Sequence, residues 1–184
     1  KPNIVYASAF GGGVYKSTNG GKKFERVGGD ELQYTYFLTI HPKKRNVLIA
    51  ASNIFFAGFS SEDQVSGQYG GLYKTEDGGA TWTDLTAGLR DYGDDGSLDE
   101  TEFELWKYNL GHLPNYEWVL MNPDDSNNVV VGHHGENVVV TADNGATWTK
   151  PVDGMIPNSI HNYAYCLGAS SSFDTIYACT CGRG

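Results

Sequence analysis

Positive charge is scarce in this chain. Its 184 residues carry 13 Lys and Arg against 22 Asp and Glu, a formal net charge of −9. Nucleic-acid binders concentrate Lys and Arg to displace counterions from phosphates, so this balance argues against such a partner. Long apolar runs are missing too. No stretch approaches the ~20 residues of a bilayer-crossing helix, which excludes a membrane-spanning segment of that kind. No Asn-x-Ser/Thr triplet occurs, which excludes N-glycosylation of this stretch. No Ser-His-Asp signature and no phosphate-binding glycine loop appears, and Phe10–Gly13 is explained by strand geometry. The chain opens on Lys1 without a visible leader, and the expectation is a mature or trimmed piece of a longer protein.

What is present points to many short strands. Hydrophobic residues make up 40% and aromatics 13%, enough for a packed core, which rules out disorder throughout. The length suits one ordinary domain. The 24 glycines and the 12 Tyr, 8 Phe and 4 Trp suit strands joined by tight turns.

Three segments repeat one pattern. Val14–Phe24 contains Ser17-Thr18-Asn19-Gly20-Gly21 followed by Phe24, Leu72–Trp82 contains Thr75-Glu76-Asp77-Gly78-Gly79 followed by Trp82, and Val139–Trp148 contains Thr141-Ala142-Asp143-Asn144-Gly145 followed by Trp148. Each fits Ser/Thr-x-Asp/Asn-x-Gly-x-x-aromatic behind a β-prone run. The Asp or Asn accepts amides of its own turn, the Gly takes an angle closed to other residues, and the aromatic packs inward on the return strand. These carboxylates are therefore read as turn staples and not as catalytic groups.

A second echo lies upstream. Phe37–Pro42 leads through Lys43-Lys44-Arg45-Asn46 to Val47–Ala51, and Trp118–Pro123 leads through Asp124–Asn128 to Val129–Gly132. Pro2–Ser8 repeats the second half, and Ala164–Leu167 with Asp174–Cys179 repeats the unit at the other end. The unit is a four-stranded antiparallel blade, and radial repetition of such blades makes a β-propeller.

The boxes resemble the Asp-box, or bacterial neuraminidase, repeat. Together with the Pro-containing half they look most like the propellers of sortilin-type receptors, xyloglucan-hydrolysing glycosidases and a photosystem assembly factor. The resemblance covers nearly all the chain except about 86–115 and implies an all-β propeller of about three blades. The expected boundaries are about 1–30, 31–85, 116–152 and 153–184 within one partial domain. In the xyloglucan-hydrolysing family an Asp precedes the Gly-rich strand leading to the first box. The matching stretch here is Ser8-Ala9-Phe10-Gly11-Gly12, with Ala9 or Phe10 at that place. Sialidases need three Arg around a carboxylate, and Arg26, Arg45, Arg90 and Arg183 sit in no such setting.

Residues 86–115 interrupt the repeat. Asp91, Asp94, Asp95, Asp99, Glu100, Glu102 and Glu104 lie there without a base among them. The segment 91–102 can be laid on the twelve-residue calcium loop of the EF-hand, and it also resembles a dockerin repeat. Asp91, Asp95, Ser97, Asp99 and Glu102 take ligand positions and Gly96 the sharp turn; Gly93 stands where a ligand is usual. Calcium is the cofactor expected, ordering an insertion whose charges otherwise repel. The bland alternative is a solvated acidic loop.

Cys166 and Cys179 fall on the two strands of a hairpin around Ser171–Asp174 and are candidates for a cross-strand disulfide, which suits an extracellular protein. The other reading is three half-buried free thiols. Cys179-x-Cys181 lacks partners for zinc. His133-His134 with Glu136 has metal-ligand chemistry but reads more simply as a propeller face, and His41 as a turn residue. Tyr34–Phe37, Phe55-Phe56 and Tyr163–Tyr165 are candidates for a sugar platform, or else for packing between blades. An insertion over 53–70, with Phe55, Phe56, Phe59 and Tyr69, is placed to reach over a face or bind a partner. The expected role is a non-catalytic extracellular module binding a protein or glycan. The alternatives are a xyloglucanase-like hydrolase fragment and a structural subunit completed by further blades or copies of itself.

Overall fold

Among the described residues, short β-prone runs alternate with turns and form twelve strands. The computed structural model describes residues 3–52, 71–85, 116–133, 137–149 and 163–181. The calcium-loop residues, the 53–70 insertion, His134 and Glu136 lie outside them. The chain divides into two compact units, Lys1–Asp84 and Leu85–Gly184.

The first unit holds β1 (Val5–Ala9), β2 (Gly13–Ser17), β3 (Glu25–Val27), a 3-10 turn Asp30–Leu32, β4 (Thr35–Ile40), β5 (Leu48–Ser52), β6 (Gly71–Thr75) and β7 (Thr83–Asp84). They make two antiparallel sheets, β1-β2-β3 and β4-β5-β6-β7. The second unit holds β8 (Tyr116–Met121), β9 (Val129–His133), β10 (Asn137–Thr141), β11 (Tyr163–Ala169) and β12 (Ile176–Cys181), in the sheets β10-β9-β8 and β11-β12. A single antiparallel bridge pairs Val140 with Thr149 beside β10.

Packing explains the choice of residues. Every residue of β5 and β6 is buried, which requires cover on both faces and suits small or branched side chains such as Leu48, Ile49, Ala50 and Leu72. Val14, Leu32, Ala50 and Tyr73 form the core of the first unit, with Val27, Leu38 and Trp82 against it. Val130, Val138 and Leu167 do the same in the second, under Trp118, Leu120, Val140, Phe173 and Ile176. Each fully buried Leu or Val contributes roughly 1.5–3 kcal/mol. Lys74 is buried as well, paired across the sheet with Ile49, and its ammonium meets Glu76 Oε1 at 3.1 Å.

The two ends of the strands differ. At one end of each sheet the chain reverses in tight turns: His41–Val47, Asn122–Asn128 and Ser170–Thr175 between first and second strands, and the three repeated boxes after β2, β6 and β10. At the other end lie the starts of β4, β8 and β11. There each of these strands carries a one-residue bulge, between Thr35 and Phe37, between Tyr116 and Trp118, and between Ala164 and Cys166. The extra residues are Tyr36, Glu117 and Tyr165, at the same register position in three sheets. Bulges re-aim side chains and sharpen twist, and they gather beside binding sites.

Candidate functional site

The tight-turn end is built from side chains folding back on their own backbone. In each box the Ser or Thr hydroxyl accepts the amide of the Gly four residues on, at 2.9 Å for Gly21, Gly79 and Gly145. The same hydroxyl donates to the Asn or Asp two residues on: Ser17 to Asn19 at 3.0 Å, Thr75 to Asp77 and Thr141 to Asp143 at 2.8 Å. Asn19 Oδ1 takes the amides of Lys22 and Lys23, and Asp77 Oδ1 those of Ala80 and Thr81. Asp143 Oδ1 takes the amide of Thr147. The outer oxygens of Asp77 and Asp143 accept the hydroxyls of Thr81 and Thr147 at 2.6 Å. The Thr147 hydroxyl, first among these donors, holds Asp143 down to about 2, and Thr81 holds Asp77 far below the usual carboxylate range. A carboxylate so committed is a poor proton donor or nucleophile.

Each box also clasps its own sheet. The amide of the left-handed residue donates to the carbonyl of an Asn in every case: Gly20 to Asn3, Gly78 to Asn46 and Asn144 to Asn127. The Pro turns have their own caps. His41 Nδ1 accepts the amides of Lys43 and Lys44 at 3.1 and 3.0 Å, while Asn122 Oδ1 accepts that of Asp124 at 2.9 Å. Ser170 Oγ accepts the amide of Thr175 in the last hairpin. His41 is therefore a turn cap.

The aromatics of the boxes do not behave alike. Trp148 is buried and its Nε1 donates to the Leu85 carbonyl at 3.2 Å, and Trp82 packs over Gly28 and Leu32. Phe24, expected to pack inward, is 39% exposed. Its nearest glycine is Gly21 of its own turn. Trp82 has an adjoining sheet to lie on within its unit, whereas Phe24 folds over its own hairpin.

At the opposite end an exposed aromatic corner forms. Phe10, in the β1–β2 connection, meets Tyr34 edge to face with centroids 5.5 Å apart at 63°. Phe10 is 45% and the bulge residue Tyr36 56% exposed. A Cβ at Gly11 would meet nothing within 4 Å, so the backbone beside Phe10 lies open. Arg26 borders this region, donating to the Gly29 carbonyl at 3.0 Å and to Asp30 at 3.2 Å. Of the expected platform residues, Tyr34 and Tyr36 are thus placed here; Phe55 and Phe56 lie outside the described residues. Phe10 entered the sequence reading only as the residue standing where an Asp belongs.

Cys166 and Cys179 are register partners on β11 and β12 with Cα atoms 5.2 Å apart, within the span a disulfide bridges. Among the described residues no helix is long and apolar enough to cross a membrane.

No protein-family model matches the chain, and neither does any curated protein sequence. Solved structures do resemble it. A GH74 xyloglucanase from Xanthomonas campestris matches over 96% of this chain and 25% of its own, at 19% identity and a TM-score of 0.53. A GH74 enzyme from Niastella koreensis matches over 97% and 24%, at 18% identity and a TM-score of 0.55. The fold is that of part of a β-propeller, and the chain spans about a quarter of the length of these two structures.

Proposed function

We propose that the chain is a segment of an extracellular Asp-box propeller that binds a protein or a glycan and does no chemistry of its own. The observation that carries this reading is the segregation of the two strand ends. In the first unit self-satisfied turns occupy one end of the strands, and the β4 bulge, the Phe10–Tyr34 corner and exposed Tyr36 occupy the other. Recognition residues favour such irregular, exposed positions on a rigid sheet. The spacing and the reciprocal hydrogen bonds of the three boxes support the Asp-box assignment, shared with sortilin-type receptors. The placement of Cys166 opposite Cys179 supports an oxidising compartment. Calcium orders the segment 91–102 in this reading, on the strength of its ligand spacing alone.

Two carboxylates flanking a sugar bond are needed for glycoside hydrolysis. Asp77 and Asp143 are tied into turns, and Ala9 and Phe10 stand where the resemblance places an acid. Incubation of the chain and its full-length parent with soluble xyloglucan separates the readings. We expect retardation in a xyloglucan affinity gel, weakened by Tyr36→Ala, with no release of reducing sugar. Release of reducing sugar by the chain itself would establish the hydrolase alternative, which the fold likeness to GH74 enzymes favours. No retardation on xyloglucan or on a printed glycan array leaves a protein ligand. Calorimetry with calcium against Asp95→Ala tests the loop; heat that is absent, or unchanged by the substitution, removes calcium. A third arrangement, with further blades or copies seated on β12, is favoured by Tyr177 at 67% exposure; particle mass that rises with concentration is its signature.

A further inference from the structure

The three locked turns are chemically unequal. In the second and third, an Asp accepts a Thr hydroxyl on its outer oxygen. In the first, Asn19 replaces the Asp and Lys23 replaces the Thr. Asn19 Oδ1 still takes the amides of Lys22 and Lys23 at 3.0 and 2.9 Å, so the backbone keeps its path. The group beyond it has changed sign: where the sister turns present an acceptor, this one presents an NH2. No acceptor meets that NH2 among the described residues.

Asn19 lines a surface recess of about 130 Å³ together with Lys16, Thr18, Lys23, Glu25 and Arg26. Lys16 spends one of its three donors on the Gly78 carbonyl. Among the described residues Lys23 is held only by Glu25 at 2.8 Å, with both side chains 73% exposed, an interaction that solvent makes weak. Lys43, Lys44 and Arg45 lie exposed in the Pro turn whose Asn46 clasps the same Gly78 that Lys16 reaches. Cations of three segments thus gather on one end of the first unit, in a chain whose net charge is −9.

We propose that this recess binds a tetrahedral oxyanion, phosphate or sulfate, free or as an ester on a larger molecule. Asn19 Nδ2, Lys23 Nζ and Lys16 Nζ supply donors, and Glu25 is the carboxylate the anion displaces. Apart from Arg26, which borders both, the recess shares no residue with the aromatic corner at the other end of the strands.

The sister turns provide the control. Asn19→Asp restores the residue that two of the three turns fold with, and it puts an acceptor and a negative charge into the recess. The probes are phosphate and sulfate, each as the free ion and as its glucose 6-ester, titrated at constant ionic strength. Amide and side-chain NH2 signals of Asn19, Lys22 and Lys23 should shift saturably. Asn19→Asp should weaken binding about tenfold or more, and Glu25→Gln should tighten it about threefold, since charge-assisted hydrogen bonds dominate an exposed site. Preference for the ester over the free ion identifies a carried group; equal affinity identifies the ion. Shifts no larger than those from sodium chloride, or unchanged binding in Asn19→Asp, would overturn the site. Should Asn19→Asp fail to fold, Lys23→Thr, the residue of the sister turns, carries the same test.

Discussion

Lys16 donates through Nζ to the carbonyl of Gly78, 62 residues further along the chain, at 2.8 Å. Tyr6 OH reaches the same oxygen at 3.1 Å, and the ammonium lies 5.6 Å from the Tyr6 ring. One left-handed residue thereby joins two neighbouring sheets. Lys16→Met keeps the apolar stem and removes the charge. It should cost about 1.5–3 kcal/mol in urea unfolding, the range for a bond from a charged donor. Tyr6→Phe should cost less, and the pair should be non-additive, because both donors share one acceptor.

The glycine four residues after the Ser or Thr of each box faces a different demand. Gly21, Gly79 and Gly145 all have φ between 85° and 97°. A methyl group at Gly79 would come within 3.0 Å of Val27, and at Gly145 within 2.9 Å of Leu85, whereas at Gly21 it would meet only the Phe24 ring at 3.9 Å. Alanine at Gly21 should cost about 1–2 kcal/mol, from backbone conformation alone. At Gly79 or Gly145 a packing clash adds about 1–3 kcal/mol. Thermal melts of the three variants rank them; equal losses would show that neighbouring sheets do not press on these turns.

Thr141 is 1% exposed and ties Gly145 to Asp143. Thr141→Val keeps the shape and strands both partners, so a loss of about 1–3 kcal/mol is expected. Thr141→Ser should recover most of it, since Ser17 serves the first box.

Acid should loosen the boxes in a defined window. The folded pKa of Asp143 lies at about 2, below the ordinary carboxylate value near 3.9, so its contribution is complete above that ordinary value and fades as pH falls toward 2. Thr147→Val should raise the Asp143 pKa and move the loss to higher pH. Carboxyl-carbon NMR titration reads both.

If the cysteines are bonded, mass spectrometry of the unreduced chain should find one free thiol, Cys181, of three. With 13 positions between Cys166 and Cys179, reduction should lower stability by about 3 kcal/mol. Three free thiols would remove the argument for an oxidising compartment.

The boxes were legible because their logic is local. Ser17 to Lys23 spans seven residues, and every side-chain hydrogen bond that shapes the turn closes within that span. The bulges were not legible. Nothing in Thr35-Tyr36-Phe37 marks Tyr36 as the extra residue, since register depends on Ala51 and Ser52 across the sheet. The orientation of Phe24 failed for the same reason: spacing says where an aromatic falls, while a neighbouring sheet decides whether it is covered. Phe10 illustrates a third limit, because its contact with Tyr34 spans a turn, a strand pair and a 3-10 segment. The chemical difference at Asn19 was visible as a departure from Asp but gained meaning only beside Asp77 and Asp143.

Two of the left-handed corners are Asn-Gly steps, Asn19-Gly20 and Asn144-Gly145. In a free peptide this dipeptide deamidates readily, as the glycine nitrogen attacks the side-chain amide and closes a succinimide. Here the Gly20 nitrogen is occupied by the Asn3 carbonyl and the Gly145 nitrogen by Thr141 Oγ1. The staples therefore also act as chemical preservatives, and isoaspartate at either step becomes a timer that runs only while its hairpin is open.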